Sequence, residues 1–142
     1  MTTFGSYEAV RELHRGMAAA VWVARRIDGQ TESQFAVKTF ETLDPTLSLE
    51  SLEREAQQFL DAAKIQQTVA ASGTQYWAPV HEFGPLPAGG AYYVTDVYTR
   101  SAQRLVLGQV KLDAHKLHVI VRSVVEALVE LLYSINKRLM GL

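Results

Sequence analysis

The residues best suited to chemistry in this 142-residue chain are one lysine, one glutamate and a short glycine-containing loop. Lys38 ends the apolar run Phe35-Ala36-Val37-Lys38. An ammonium there is a compact point charge whose stem can pack along apolar walls, and the chemistry open to it is charge pairing. Solvent at a strand edge is the commoner fate of a lysine, so its neighbours decide the reading. Glu55 lies in Leu52-Glu53-Arg54-Glu55-Ala56, where a step of roughly 100° per residue places it about 80° from the centre of an apolar stripe, on the rim from which it can reach Lys38. Glu53 falls on the opposite rim. Metal chemistry has little to draw on. No cysteine is present, which excludes disulfides and thiolate sites and suits a reducing compartment. Of His14, His81, His115 and His118, only the last two are close, at i, i+3, and no third ligand is patterned beside them.

The elements that must position these residues are read from periodicity. Tyr7 to His14, Ala19 to Arg26 and Gln34 to Phe40 are expected strands, with Asp28-Gly29 as a turn and Phe35, Val37 and Thr39 on one face of the third. Asp44-Pro45 closes this section. Ser48 caps an expected helix to about Gln67 whose face carries Leu49, Leu52, Ala56, Phe59, Leu60 and Ala63. Trp77 to Phe83 and Ala91 to Tyr98 are two further strands of a hairpin. Asp113 caps a long helix to about Ile135 with Leu117, Ile120, Val121, Val124, Val125, Leu128, Leu131 and Leu132 along its apolar side. The expectation is an α+β fold: a five-stranded antiparallel sheet with one packed helix, followed by C-terminal helices.

In that order of elements the motifs resemble those of the eukaryotic-type Ser/Thr protein kinase family, in a bacterial-like, amino-terminal-lobe-only form. Leu13-His14-Arg15-Gly16-Met17-Ala18-Ala19-Ala20-Val21-Trp22-Val23-Ala24 is similar to the phosphate-covering loop L-G-x-G-x-x-G-x-V-[YW]-x-A: Leu13, Gly16, Val21, Trp22 and Ala24 match, whereas His14 and Ala19 replace the outer glycines. Phe35-Ala36-Val37-Lys38 resembles V-A-I-K, and Arg54-Glu55-Ala56 the helix with the ion-pair glutamate. Tyr92-Tyr93-Val94-Thr95-Asp96-Val97-Tyr98 resembles the fifth strand and hinge. The resemblance covers about Tyr7 to Tyr133. It implies that Lys38 reaches the α- and β-phosphates of ATP and pairs with Glu55, and that Val21 and Ala36 enclose the adenine. It also implies that Thr95 stands at the back of the pocket and that Asp96 and Val97 offer backbone groups to the adenine edge.

The same resemblance divides the chain into a kinase-like lobe at 1–99 and a helical segment at 100–142 similar to the start of the second lobe. No H-R-D-x-x-x-x-N or D-F-G motif follows, so the groups that orient the substrate hydroxyl and hold magnesium are missing from this sequence. ATP is therefore expected to bind weakly, with no metal site, and the chain alone to be inactive as a phosphotransferase. The alternative is a pseudokinase-like regulatory or scaffolding module; an α+β binding module unrelated to kinases would require the ordered motifs to be coincidence. Lysine plus arginine number 14 against 15 acidic residues, a formal charge of −1 that offers no general attraction to nucleic acid or an anionic membrane. Arg122, Glu126 and Glu130 interrupt the most apolar run, and the amino terminus has no signal-like pattern, so a cytoplasmic chain is expected. The apolar side of the last helix calls for a cover, expected to be a second copy of the chain or a partner protein.

Overall fold

The computed structural model describes residues 1–29, 32–41, 46–73, 75–98, 111 and 113–141. The expected Asp44-Pro45 break lies outside them. Contacts divide the chain into two units, Met1–Thr68 with Ala78–Val97, and Val69–Trp77 with Tyr98–Leu142.

The first unit is an antiparallel sheet of six strands, β1 (Thr3–Phe4), β2 (Tyr7–Arg15), β3 (Ala19–Arg26), β4 (Gln34–Phe40), β5 (Val80–Pro85) and β6 (Ala91–Asp96), in the order β1-β2-β3-β4-β6-β5. The second and third expected strands stand at their expected bounds. The extra strand is β1, too short to show periodicity: Gly5, at φ 55°, folds Thr3 and Phe4 back against Glu8 and Tyr7. The strand expected from Trp77 begins only at Val80, and the one expected to reach Tyr98 stops at Asp96.

Helix α1 (Leu49–Ala70) begins as its cap predicts, with the Ser51 amide donating to the Ser48 hydroxyl at 3.2 Å. Its apolar face docks through Phe59, whose ring lies 5.2 Å from that of Tyr93 and 6.1 Å from that of Phe40. Leu49, assigned to that face by periodicity, is 72% exposed because the first turn projects past the apolar contact. Near the other end, the Gln66 and Gln67 side-chain amides donate to the carbonyls of Ala78 and Val80 at 3.0 Å each, pinning the approach to β5.

Cross-strand partners share a face, so the register sorts the sheet into two sides. Trp22, Val37 and Val94 are paired in one row, on the side of the core formed by Phe4, Tyr7, Ala24, Val37, Tyr92 and Val94. Phe4 contributes through its ring, 5.9 Å from Trp22 and 6.1 Å from Tyr92. The indole nitrogen of Trp22 is buried without a hydrogen-bond partner among the described residues, a desolvation penalty of about 1–3 kcal/mol that the packing of its ring must offset.

Glu82 ties the amino-terminal hairpin to the far edge of the sheet. Its Oε1 accepts from the Tyr92 hydroxyl at 2.7 Å and from the Ser6 amide at 3.0 Å. The Tyr92 ring lies over Gly84, where a Cβ would come within 3.3 Å of it. Burial pushes the Glu82 carboxyl up, but the hydrogen bonds from Tyr92 and Ser6 outweigh it and hold the group below its ordinary value. Burial and the neighbouring Glu82 push the Tyr92 hydroxyl up.

In the second unit, helix α2 (Ala114–Leu139) starts at Asp113, whose carboxylate accepts from the Lys116 amide at 2.8 Å. It runs past the expected Ile135 because Asn136-Lys137-Arg138-Leu139 contains no breaker; Gly141, at φ 69°, follows its end. The Trp77 indole donates to the Ala127 carbonyl at 2.9 Å.

Gly5 allows a clear test of the Glu82 tie. A Cβ at this position would fall 1.7 Å from Glu82 Oε1 on a backbone with positive φ, so Gly5→Ala is expected to destabilise the fold by about 1–3 kcal/mol in urea titration. Gly16→Ala, where the nearest backbone atom is 3.6 Å away and φ is not positive, should change stability by less than about 0.5 kcal/mol. The pH dependence has a definite sign. A carboxyl depressed in the folded state contributes stability above its unfolded value, about 4.3, and loses it as pH falls through the lower folded value. Glu82→Gln should therefore flatten the acid side of a Tm-versus-pH curve while lowering Tm at neutral pH.

Candidate nucleotide-binding face

The register that sets the core also gathers most of the candidate site on the opposite side of the sheet. Val21 is paired with Lys38 and Lys38 with Tyr93; Val23 is paired with Ala36 and Ala36 with Thr95. Val21, Ala36, Lys38 and Thr95 therefore share the face on which α1 docks, since Phe59 packs on Tyr93 of the same row. Glu55 stands one helical turn before Phe59. The described residues show no ion pair between Lys38 and Glu55, and both side chains are exposed.

The remaining candidates are placed differently. Leu13 falls in a bulge between the pairs Glu12 with Trp22 and His14 with Val21, and is 46% exposed. Gly16 closes the β2–β3 hairpin, its amide donating to the Ala19 carbonyl at 2.7 Å. Arg15, the last residue of β2, is bound by Glu12 at 2.9 Å and lies 5.7 Å over the Trp22 ring. Asp96 pairs across from Phe35, on the core side, and its carboxylate meets His81 Nε2 at 2.7 Å. Its side chain thus faces away from Lys38. The Thr95 hydroxyl donates to the Asp96 carbonyl at 3.2 Å, and Val97 follows the strand, half-buried.

Two clusters escaped the sequence reading. His81 joins Asp96 and lies edge-on to the Phe35 ring at 5.3 Å; Glu82 makes the tie to Tyr92 and Ser6. Neither has a motif. Both emerge only once β5 and β6 are aligned, with Val80 opposite Thr95 and Glu82 opposite Val94 across a register shift. An open concavity of about 470 Å³ lies at the other end of the sheet, where Glu8 and Arg25 are paired and Arg26 is held by Asp28. Lys38 does not line it. Among the described residues no three histidine or acidic side chains are grouped to hold a metal, and no helix is long and apolar enough to cross a membrane.

An antiparallel sheet that carries a lysine in its third long strand, with one helix docked on the lysine's face, defines part of a protein-kinase-like fold. Comparison with solved structures specifies it: the chain is similar to crystal structures of the PknI kinase domain of Mycobacterium tuberculosis. One aligns at TM-score 0.64 with 19% identity, over 92% of this chain and 49% of that one. Another gives TM-score 0.65 and 18% identity, over 92% and 50%. The chain thus spans about half the length of the kinase domains it matches. No protein-family model matches the sequence, and no curated protein matches it.

The exposure of Lys38 yields an expectation opposite to that for a buried ion pair. Lys38→Ala and Glu55→Ala should each change unfolding free energy by less than about 0.5 kcal/mol, and a double-mutant cycle should give a coupling near zero in the unliganded chain. A coupling above about 1 kcal/mol would place the two in contact in solution.

Proposed function

We propose that this chain is the nucleotide-holding half of a kinase-like protein, with weak affinity for ATP and no phosphoryl transfer of its own. The observation that carries the reading is the common face of Val21, Ala36, Lys38 and Thr95 beside α1. On that face Val21 and Ala36 pack against one face of an adenine ring, Thr95 bounds its inner edge, and the Lys38 ammonium neutralises phosphate charge. Asp96 and Val97 offer main-chain groups to the adenine edge.

Weak affinity follows from the loop. The Gly16 amide, which an anion would otherwise use, is engaged by Ala19. Arg15 is held by Glu12. His14 shares the face of Val21, and its Nε2 lies 4.0 Å from where a Cβ of Gly16 would be, so an imidazole stands over the loop where the family resemblance calls for bare backbone. Transfer needs a residue to orient the hydroxyl and carboxylates to hold magnesium, and neither motif occurs in this sequence. The loop departures also support the second reading, a regulatory or scaffolding module that acts through protein contact.

Calorimetry with ATP and magnesium should give a dissociation constant weaker than about 100 µM, with Lys38→Ala abolishing the remaining heat. His14→Gly with Ala19→Gly should tighten binding several-fold. Incubation with γ-labelled ATP and a general acceptor protein should transfer no label. Micromolar binding by the unaltered chain would overturn the weak-affinity reading, and binding unaffected by Lys38→Ala would overturn the placement of the site.

A further inference from the structure

One bulge holds strand β6 at both ends. Val80 stands opposite Thr95 and Glu82 opposite Val94, so His81 is the extra residue between them. A regular ladder would send His81 and Glu82 to opposite faces; the bulge turns both to the core side, where Glu82 meets Tyr92 and His81 meets Asp96 and the Phe35 ring. Tyr92 lies near the start of β6 and Asp96 at its end. Asp96 is paired with Phe35 on β4, but the ladder to β5 stops at Thr95, and Pro79, the residue before Val80, has no amide with which to extend it. In place of that ladder bond, the Asp96 carboxylate accepts from His81 Nε2 at 2.7 Å. The imidazole is itself set by Phe35, edge-on at 5.3 Å, and Phe35 by Tyr7, edge-on at 5.1 Å.

We infer, on the nucleotide reading of this sheet, that His81 is a positioning residue: it touches no nucleotide itself and acts through Asp96, fixing the end of β6 so that the main-chain groups of Asp96 and Val97 meet the adenine edge. Direct contact is ruled out by its side of the sheet. His81 and the Asp96 carboxylate lie with the core, whereas Val21, Ala36, Lys38 and Thr95 lie on the opposite face. From that face the Thr95 hydroxyl donates to the Asp96 carbonyl at 3.2 Å. Asp96 is thus held from both sides, through its carboxylate by His81 and through its carbonyl by Thr95, and the second lone pair of that carbonyl is left for the amino group of adenine. Lys38 stands elsewhere in the ladder, paired with Tyr93, three residues before Asp96. The tie therefore matters to the base and not to the phosphates.

Titration followed by heteronuclear NMR resolves weak binding, here of ATP and of inorganic tripolyphosphate, each with magnesium. His81→Ala should weaken ATP about three- to five-fold, the worth of one exposed carboxylate pair, and leave tripolyphosphate unchanged. Lys38→Ala should abolish both. His81→Gln, whose side-chain amide can donate where Nε2 does, should bind ATP like the parent chain. Asp96→Ala should lose as much as His81→Ala, and the double change no more than either. In the unliganded chain, His81→Ala should speed hydrogen exchange at the Asp96 and Val97 amides and leave Val37 and Val94 as they were. Equal weakening of both ligands, additive losses, or a His81→Gln variant as poor as His81→Ala would overturn the positioning role. So would ATP binding that Lys38→Ala abolishes and His81→Ala leaves untouched. Binding that Lys38→Ala leaves intact would overturn the nucleotide reading instead, and exchange at Asp96 and Val97 unmoved by His81→Ala would overturn the tie in either case.

Discussion

Everything proposed for the sheet depends on the register of three strands, β3, β4 and β6. A strand has a period of two, so a slip of one residue between β3 and β4 would carry Lys38 to the core side and Val37 out of it. Trp22, Val37 and Val94 resist that slip because Val37 and Val94 are fully buried and leave no room for an ammonium, with the half-buried Trp22 packed beside them. The position of the lysine is thus enforced from behind, by apolar side chains that never meet a ligand. The docking of α1 follows from the same register on the opposite face, where Tyr93, paired with Lys38, presents its ring to Phe59.

Much of this was legible in the sequence, for a physical reason that also marks its limit. Strands β3 and β4 are dense in β-branched and aromatic residues and bounded by turn signals, so their bounds and the facing of Phe35, Val37 and Thr39 could be read from alternation. The caps at Ser48 and Asp113 announced the helix starts through their side-chain chemistry. Two-residue β1 has no period to read. The side chains of Glu82 and Asp96 could not be assigned partners, because the bulge between Val80 and Glu82 sets the register of the hairpin and is invisible in the pattern of residue types. Leu49 shows the converse error: periodicity locates a face but not how far along a helix the docking surface extends.

The β2–β3 loop shows a candidate site whose groups are already engaged. A loop that cradles phosphates needs free amides and unclaimed cations; here Gly16 bonds Ala19, and Arg15 is shared between Glu12 and the Trp22 ring. The face gathers the residues proposed to hold a nucleotide, while the loop has the contacts of an ordinary hairpin. Layout is set by the sheet and persists as long as the core does, whereas the loop's capacity for anions rests on a few exposed residues that can change without cost to the fold.

The tie between Ser6 and Glu82 spans 76 residues, and the ring contact of Phe4 with Tyr92 spans more. On a ribosome the amino-terminal hairpin is made first and its partners last, so Phe4 has nothing complete to pack against until β6 has left the exit tunnel. Local hairpins such as β2–β3 can form earlier, but the sheet cannot close around its core. At about 5–20 residues per second, the wait from Phe4 to Tyr92 lasts several seconds. For that time Phe4 and Trp22, which pack together in the finished fold, lack the β6 side chains that complete their surroundings.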